Sequence, residues 1–488
     1  MLPSLLPYLA FGGEFVLKFI LVSVILLRRR GGRSTAALAW IVLILAVPVI
    51  GLLAYLLIGE VRLGRRRIAR HRTIVSQVQA SMARSPASPG APSAAAARNA
   101  DVPAAFRSIA RLGEAVGGNL PRGGNSLRLI SDTDLFIQAL VEDIDAASQH
   151  CHLEFYIYLS DHSGTRVGEA LIRAAARGVQ CRLLVDAVGS RAFLRSPLRR
   201  TMEDASVRVV DALPANVLRM AFARLDLRNH RKIAVIDGCI AYTGSQNIAD
   251  AEFAVKRKLG PWVDAMVRIV GPAVHDLQRL FVEDWYLDTD EALNELLSIE
   301  PPITEDGIAV QIMGTGPNSY NDALRQLTQA AFHTAREELI LTTPYFVPDD
   351  ATVIALRTAA RRGVDTTLVL PARNDSPLVA AASRSFYHQL LEAGVKIFEF
   401  QKGMLHAKTM TIDRDLALVS TANLDRRSFE LNFEVSVVVY DTDFASQLRF
   451  VQRAYVADSQ AVDAGAWSRR PWPKVLVNNA VALVAPLL

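Results

Sequence analysis

The rhythm of hydrophobic and polar positions divides this chain into distinct stretches. Leu5 to Leu27 is mostly apolar, interrupted by Glu14 and Lys18, which stand four apart and can pair on one helical face. Ala36 to Ile58 is apolar and uncharged over 23 residues, with Pro48 and Gly51 inside it. At ~1.5 Å per residue such a helix crosses a hydrocarbon core of ~30 Å. Residues 1–60 are therefore expected to form two membrane helices. The first fits a secretory signal poorly, because no basic segment precedes it and Arg28-Arg29-Arg30 follows where cleavage needs small residues.

Residues 61–104 begin basic and become rich in Ser, Ala and Pro, most clearly over 81–100, which reads as a flexible tether. From about residue 105 the pattern turns to alternating strand and helix. Leu127–Ile130, His152–Leu159 and Val179–Val185 read as strands, with helical spacing over Asp132–Ser148 and Val167–Arg177. The pattern then recurs. Ala174-Ala175-Ala176-Arg177-Gly178-Val179 has a counterpart in Ala359-Ala360-Arg361-Arg362-Gly363-Val364, each followed by an apolar strand. Leu339–Phe346 matches the earlier His152–Leu159. The expected fold is α/β, with two homologous domains over 105–300 and 305–470, each a mixed, mostly parallel sheet flanked by helices. Residues 471–488 are an apolar tail; Val475–Leu488 is too short to span a membrane, and either lies on one or packs on the domain.

Charge sharpens this division. Residues 1–100 carry 13 Lys and Arg against 2 acids, and the remainder 41 against 47, so the basic character belongs to the N-terminal part. The remainder is not a general nucleic-acid-binding surface. The Arg cluster at 62–72 outweighs the loop Arg28–Arg33, which places residues 60–488 in the cytoplasm by the positive-inside bias. The three Cys form no C-x-x-C and fit a reducing compartment.

The candidate chemistry sits in a repeated stretch. His230, Lys232 and Asp237 read H-x-K-x-x-x-x-D, and so do His406, Lys408 and Asp413. Asn247 and Asn423 each follow their His by 17 residues, with Ser245 and Thr421 two before the Asn. Only 8 Lys stand against 46 Arg, so two Lys at matched spacing are no accident of composition. On a strand the His and Lys share a face. Two related domains packed about a pseudo-twofold axis can bring both pairs to one pocket. Two ammonium groups, aided by the Asn side chains, suit a phosphodiester. One His attacks phosphorus, and the other protonates the leaving oxygen and then takes a proton from an incoming alcohol. A carboxylate should orient the nucleophile's ring. Glu434 is the candidate in the second repeat and Asp264 the matching position in the first. Glu154 and Tyr156 share a strand face, which fits buried strand packing as well as a place in the pocket. His150, His152 and His162 make no convincing metal site, and no P-loop or Gly-x-Ser-x-Gly is present.

The doubled motif, with Ser245-Gln246-Asn247 and Ser420-Thr421-Ala422-Asn423 after it, resembles the phospholipase D superfamily over about residues 105–470. The N-terminal hairpin, Thr343–Pro348 and Asn423–Phe429 make the chain similar to bacterial cardiolipin synthases. That resemblance implies a membrane phosphatidyltransferase of the bacterial inner membrane. Its substrate would be the anionic lipid phosphatidylglycerol, with a phosphohistidine intermediate and no metal or cofactor. It inclines the roles toward His230 as nucleophile and His406 as acid and base. The rival readings are a phospholipase D or another phosphatidyltransferase, and a membrane-anchored nuclease. Ser420 departs from the commoner Gly-Ser, a small change.

Overall fold

The computed structural model describes residues 16, 18–27, 34–55, 59, 63–84, 100–214, 224, 226–253, 258–318 and 322–484. They form two compact units, one of residues up to 66 with 215–227, the other of 67–214 and 228 onward. In the first, residues 18–27 are helical, followed by α1 (Ser34–Ala46) and α2 (Pro48–Ala54). Val47 stands between them with φ −137° and ψ 80°. A residue before Pro is disfavoured in the helical region, so the apolar run is kinked at Pro48. Ile25, Ile44 and Tyr55 pack together there. Among the described residues no helix is long and apolar enough to cross a membrane. Glu14, residues 56–58 and most of the expected tether lie outside them.

The second unit opens with α3 (Arg65–Arg84, from Arg67) and holds the duplicated body. Counting strands of three residues or more, the first repeat contains β1 (Arg122–Ile130), β2 (His150–Phe155), β3 (Gln180–Asp186), β4 (Arg208–Ala212), β5 (Lys232–Ile236), β6 (Ile240–Gly244) and β7 (Met266–Val270). The second contains β8 (Ile308–Thr315), β9 (Glu338–Thr342), β10 (Asp365–Pro371), β11 (Lys396–Phe400), β12 (Thr409–Ile412), β13 (Leu416–Ser420), β14 (Asn432–Tyr440) and β15 (Ser459–Ala461). The first repeat runs β4-β3-β2-β5-β6-β7-β1 across the sheet, and the second β11-β10-β9-β12-β13-β14-β8. Every strand of the first order thus has a counterpart seven strands later. β1 and β8 pair antiparallel, so both repeats share one continuous sheet.

The sheet is mixed, but its parallel pairings are confined to β2-β3-β4 and β9-β10-β11. The remaining neighbours are antiparallel because β5-β6 and β12-β13 are tight hairpins. Their central turn residues are left-handed, Asp237 and Gly238 at φ +51° and +65°, Asp413 and Arg414 at +52° and +66°. The apolar strands are buried on both faces. Helices α4 (Thr133–Ala146) and α5 (His162–Ala176) cover the outer face of the first repeat, and α7 (Ala323–Thr334) and α8 (Asp350–Arg361) that of the second. Between the repeats, α6 (Val274–Thr289) and α10 (Thr442–Ala457) close a shared core of Val235, Val267, Leu277, Val419, Val437 and Leu448. On α3, Ile74 and Val78 are buried against Phe281 and Trp285 of α6, and Arg67 pairs with Asp288 at 2.7 Å.

Asp237 and Asp413, expected in the catalytic set, stand at the opposite end of their strands from the lysines, about 16 Å away at strand rise. Each clamps the entry to the neighbouring strand. Asp237 accepts from the amides of Ser148, Gln149 and His150 at 2.8–2.9 Å, and Asp413 from those of Arg336, Glu337 and Glu338. Burial alone would raise the pKa of Asp237, but these amides hold it below the usual carboxylate value. Its stabilisation is therefore complete above the unfolded pKa of about 3.9 and fades as pH falls through the lower folded value. Asp237→Ala is expected to lower stability by about 1–3 kcal/mol, through orphaned amides and a strained left-handed position. Asp237→Asn, which tolerates that backbone, should cost less. Thermal unfolding of the two variants checks the order.

Candidate active site

The two His-x-Lys segments lie at the start of β5 and β12, where each repeat reaches into the other. Ahead of β5 the short strand Arg228–Asn229 pairs with Asn432–Phe433 of β14, and the His230 amide donates to the Phe433 carbonyl at 2.9 Å. Ahead of β12 the short strand Met404–Leu405 pairs with Trp262–Val263, and the His406 amide donates to the Val263 carbonyl at 2.7 Å. One residue beyond each of these contacts stands a carboxylate, Glu434 and Asp264. Glu434 oxygens lie 2.9 and 3.0 Å from His230 Nδ1, and Asp264 Oδ1 lies 2.7 Å from His406 Nδ1. Each imidazole is therefore oriented by the opposite repeat. With the carboxylates ionised, Nδ1 carries the proton and Nε2 keeps its lone pair.

Ser245 and Thr421 serve these carboxylates. Ser245 Oγ donates to Asp264 at 2.6 Å, and Thr421 Oγ1 to Glu434 at 2.5 Å. Asn432 adds a second donor to Glu434 at 3.2 Å. Asn247 Oδ1 accepts from the Ile157 amide at 3.0 Å, while the Asn423 Oδ1 is buried without a protein partner. Ser420 takes the place of Gly244 in the first repeat. Gly244 has φ +150°, and an added Cβ would fall 2.3 Å from the Ala265 carbonyl, so a side chain is excluded. Ser420 is free of that strain, and its hydroxyl lies 2.7 Å from Ser436 Oγ.

Lys232 Nζ donates to the His230 carbonyl at 2.8 Å, and Lys408 Nζ to the His406 carbonyl at 2.7 Å. Lys408 Nζ also stands 2.9 Å from His406 Nε2. Burial lowers both lysines, to about 7 for Lys232 and about 8 for Lys408. Burial likewise lowers both imidazoles to about 4, with the nearby lysines adding to it and the carboxylates opposing it. For Asp264 burial pulls upward, but His406 and Lys408 outweigh it and hold it at about 2; Glu434 is lowered by His230 and Lys232 in the same way. At neutral pH the imidazoles are thus uncharged. A phosphodiester entering the pocket adds a negative charge and moves lysine and imidazole alike toward their protonated forms.

Aromatic rings frame the pair: Tyr156 packs edge-on to His230 at 5.0 Å, and Trp262 lies 4.6 Å from His406. Glu154 belongs to a buried layer under the His230 segment. It accepts from Asn229 Nδ2, and burial with the adjacent Asp284 charge pushes its pKa well up, against the pull of Arg231 and Asn229. Arg231 carries that layer. It pairs with Asp284 and donates to the carbonyls of Glu434 at 3.1 Å and Thr315 at 3.2 Å. Sequence reading missed Arg231, Trp262 and the Tyr345–Asp375 hydrogen bond of 2.8 Å. The signal for Arg231 was available: its side chain points away from the His-Lys face of the segment, where a buried cation must find partners. His150 and His152 stack at 4.4 Å and share Gln278, a core network away from the motif.

Asp264→Asn and Glu434→Gln remove the charge that opposes imidazole deprotonation. Each is expected to lower turnover by on the order of 10⁴-fold, the effect of losing an orienting carboxylate. The acid limb of the residual pH profile should move to lower pH. A profile unmoved on the pH axis in both variants would contradict the cross-repeat role.

A protein-family model described as "Cardiolipin synthase, PLD-like domain" matches residues 140–285 and 328–451, and one described as "Phospholipase D-nuclease N-terminal" matches 16–60. "Cardiolipin synthase A" of Edwardsiella ictaluri is 38% identical over 491 residues, covering 99% of both chains. That of Salmonella arizonae is 38% identical over 468 residues, covering 95% of both. Among solved structures, phosphatidylserine synthase of Haemophilus influenzae aligns with a TM-score of 0.57 at 14% identity, covering 78% of this chain and 98% of that one, which shows a shared fold. The chain belongs to the cardiolipin synthase family of phospholipase D-like phosphatidyltransferases.

Proposed function

We propose that the protein transfers a phosphatidyl group from one phosphatidylglycerol to a hydroxyl of another, giving cardiolipin and glycerol. The observation that carries this reading is the pair of imidazoles, each held through Nδ1 by the other repeat's carboxylate. His230 is the nucleophile. Lys232 meets its backbone oxygen, whereas Lys408 also engages the Nε2 lone pair of His406. In the first step His230 Nε2 forms a bond to phosphorus, the bond to the glycerol oxygen breaks, and His406 gives that oxygen a proton. In the second, His406 takes the proton of the acceptor hydroxyl, whose oxygen bonds phosphorus as the P–N bond breaks. Lys232, Lys408 and the two Asn side chains hold the non-bridging oxygens. No group in this scheme requires a metal or cofactor.

The N-terminal hairpin would anchor the enzyme in the bacterial inner membrane, with the duplicated body on the cytoplasmic side. The uncharged run 36–58 and the basic stretch after it support that placement.

Purified protein incubated with phosphatidylglycerol should yield cardiolipin and glycerol in equal amounts. Absence of both, with turnover when phosphatidylethanolamine or CDP-diacylglycerol is supplied instead, would favour another phosphatidyltransferase. His230→Ala and His406→Ala should each abolish transfer, and the double variant should be no worse, since the two act as a unit. A phosphoprotein trapped on His406→Ala but absent from His230→Ala is the expected assignment; the reverse pattern would exchange the roles.

A further inference from the structure

The C-terminal helix α11 (Trp472–Val484) is apolar on two sides. One side packs along α9 (Pro377–Glu392), where Val481 joins Val347, Val379 and Ala382 in an apolar cluster. The rest of its surface faces solvent. Trp472 is 74% exposed, Leu476 57% and Val477 56%, at helical spacings of four and one. A helix docked through one face does not need three large apolar residues on the other.

Charge narrows what covers them. No acidic residue follows Asp463, while Arg469, Arg470 and Lys474 precede or open the helix. Arg470 lies over the Trp467 ring at 3.4 Å, which keeps one cation at this end of α11. A basic partner is disfavoured by these charges. A second copy meeting the same face about a twofold axis would set like charges against each other. A sheet of anionic headgroups fits both features. Cations sit among the phosphates, Trp at the interfacial depth, and aliphatic side chains at the acyl boundary.

The position of the helix also matters. Val347, under Val481, belongs to the short strand Phe346–Val347, which pairs with Leu424–Asp425, the residues directly after Asn423. Tyr345, one residue before that strand, packs with the cluster that includes Trp262, the ring beside His406. α11 is thus braced against the chain segments that lead out of the catalytic pocket.

We propose that α11 docks on an anionic lipid surface through Trp472, Leu476 and Val477, and so sets the mouth of the pocket against the bilayer. The docking stands on its own; the advantage it gives to lipid delivery rests on the proposed reaction. The test uses the full chain, reconstituted in vesicles. Leu476→Cys in a Cys239→Ser background carries an environment-sensitive fluorophore; Cys151 and Cys181 are buried. In vesicles of phosphatidylglycerol with phosphatidylcholine, quenching by a spin label in the upper acyl chain is expected. It should weaken severalfold in phosphatidylcholine alone. A fluorophore that stays in water in both overturns the proposal. In parallel, the double variant Leu476→Glu, Val477→Glu should form cardiolipin from vesicle-borne phosphatidylglycerol about tenfold more slowly. Its rate on monomeric short-chain phosphatidylglycerol should stay that of the parent. Equal losses on both substrates overturn the proposal. So does a dimer in detergent that the double variant dissociates, because the face would then belong to a second copy. Failure of the parent to form cardiolipin from either substrate would count against the reaction, and the quenching result would still decide the docking.

Discussion

Two carboxylates, two lysines and two imidazoles share a pocket from which their own fold largely removes water. An isolated charge in such a place is strongly disfavoured, and neutralises unless it is paired. Here the pairing runs across the duplication. Glu434 of the second repeat holds His230 of the first, and Asp264 of the first holds His406 of the second. Among the described residues, the charged partner at Nδ1 of each imidazole comes from the other repeat. The continuous sheet, joined at β1 and β8, and the core between α6 and α10 are what keep the two halves in register for this exchange.

The same constraint explains the small residues around the motif. A buried carboxylate with one imidazole partner still has lone pairs to satisfy, and Ser245 and Thr421 supply the hydroxyls. Their fixed distance from the His residues follows from the hairpin. β6 and β13 return the chain beside β5 and β12, so a residue just past the returning strand lies next to the start of the outgoing one. Asp237 and Asp413 close the other end of that hairpin. The long spacing of H-x-K-x-x-x-x-D is thus the length of one strand, with chemistry at one end and a clamp at the other.

Much of this was legible in the sequence, because a duplication preserves spacing and spacing preserves geometry. The paired His-Lys segments, the Asn positions, both carboxylates and the two-repeat α/β fold all follow from it. Which carboxylate serves which imidazole does not, because matched spacing fits a partner within the repeat as well as one across it. The parallel character of the sheet was overestimated for a related reason. Strands such as Lys232–Ile236 are apolar on both faces, as in parallel sheets. Here helices on both sides bury antiparallel hairpins equally well. The Asp237-Gly238 turn was a readable hairpin signal. Arg231 was readable as a cation off the His-Lys face, but its partners were not, because Asp284 and Thr315 lie far along the chain.

The attachment of α3 alters the mechanical meaning of the Pro-rich segment. Arg67 and Arg70 bond the end of α6, and Ile74 and Val78 are buried beside Trp285, so the chain is fixed to the catalytic body well before residue 85. Residue 106 is again in the body's core. The segment between leaves and rejoins one solid object. That stretch of sequence starts and ends on the same unit, and added residues in it would cost only slowly more. Any tether to the N-terminal unit therefore lies before Arg67 in the chain, outside the Pro-rich segment.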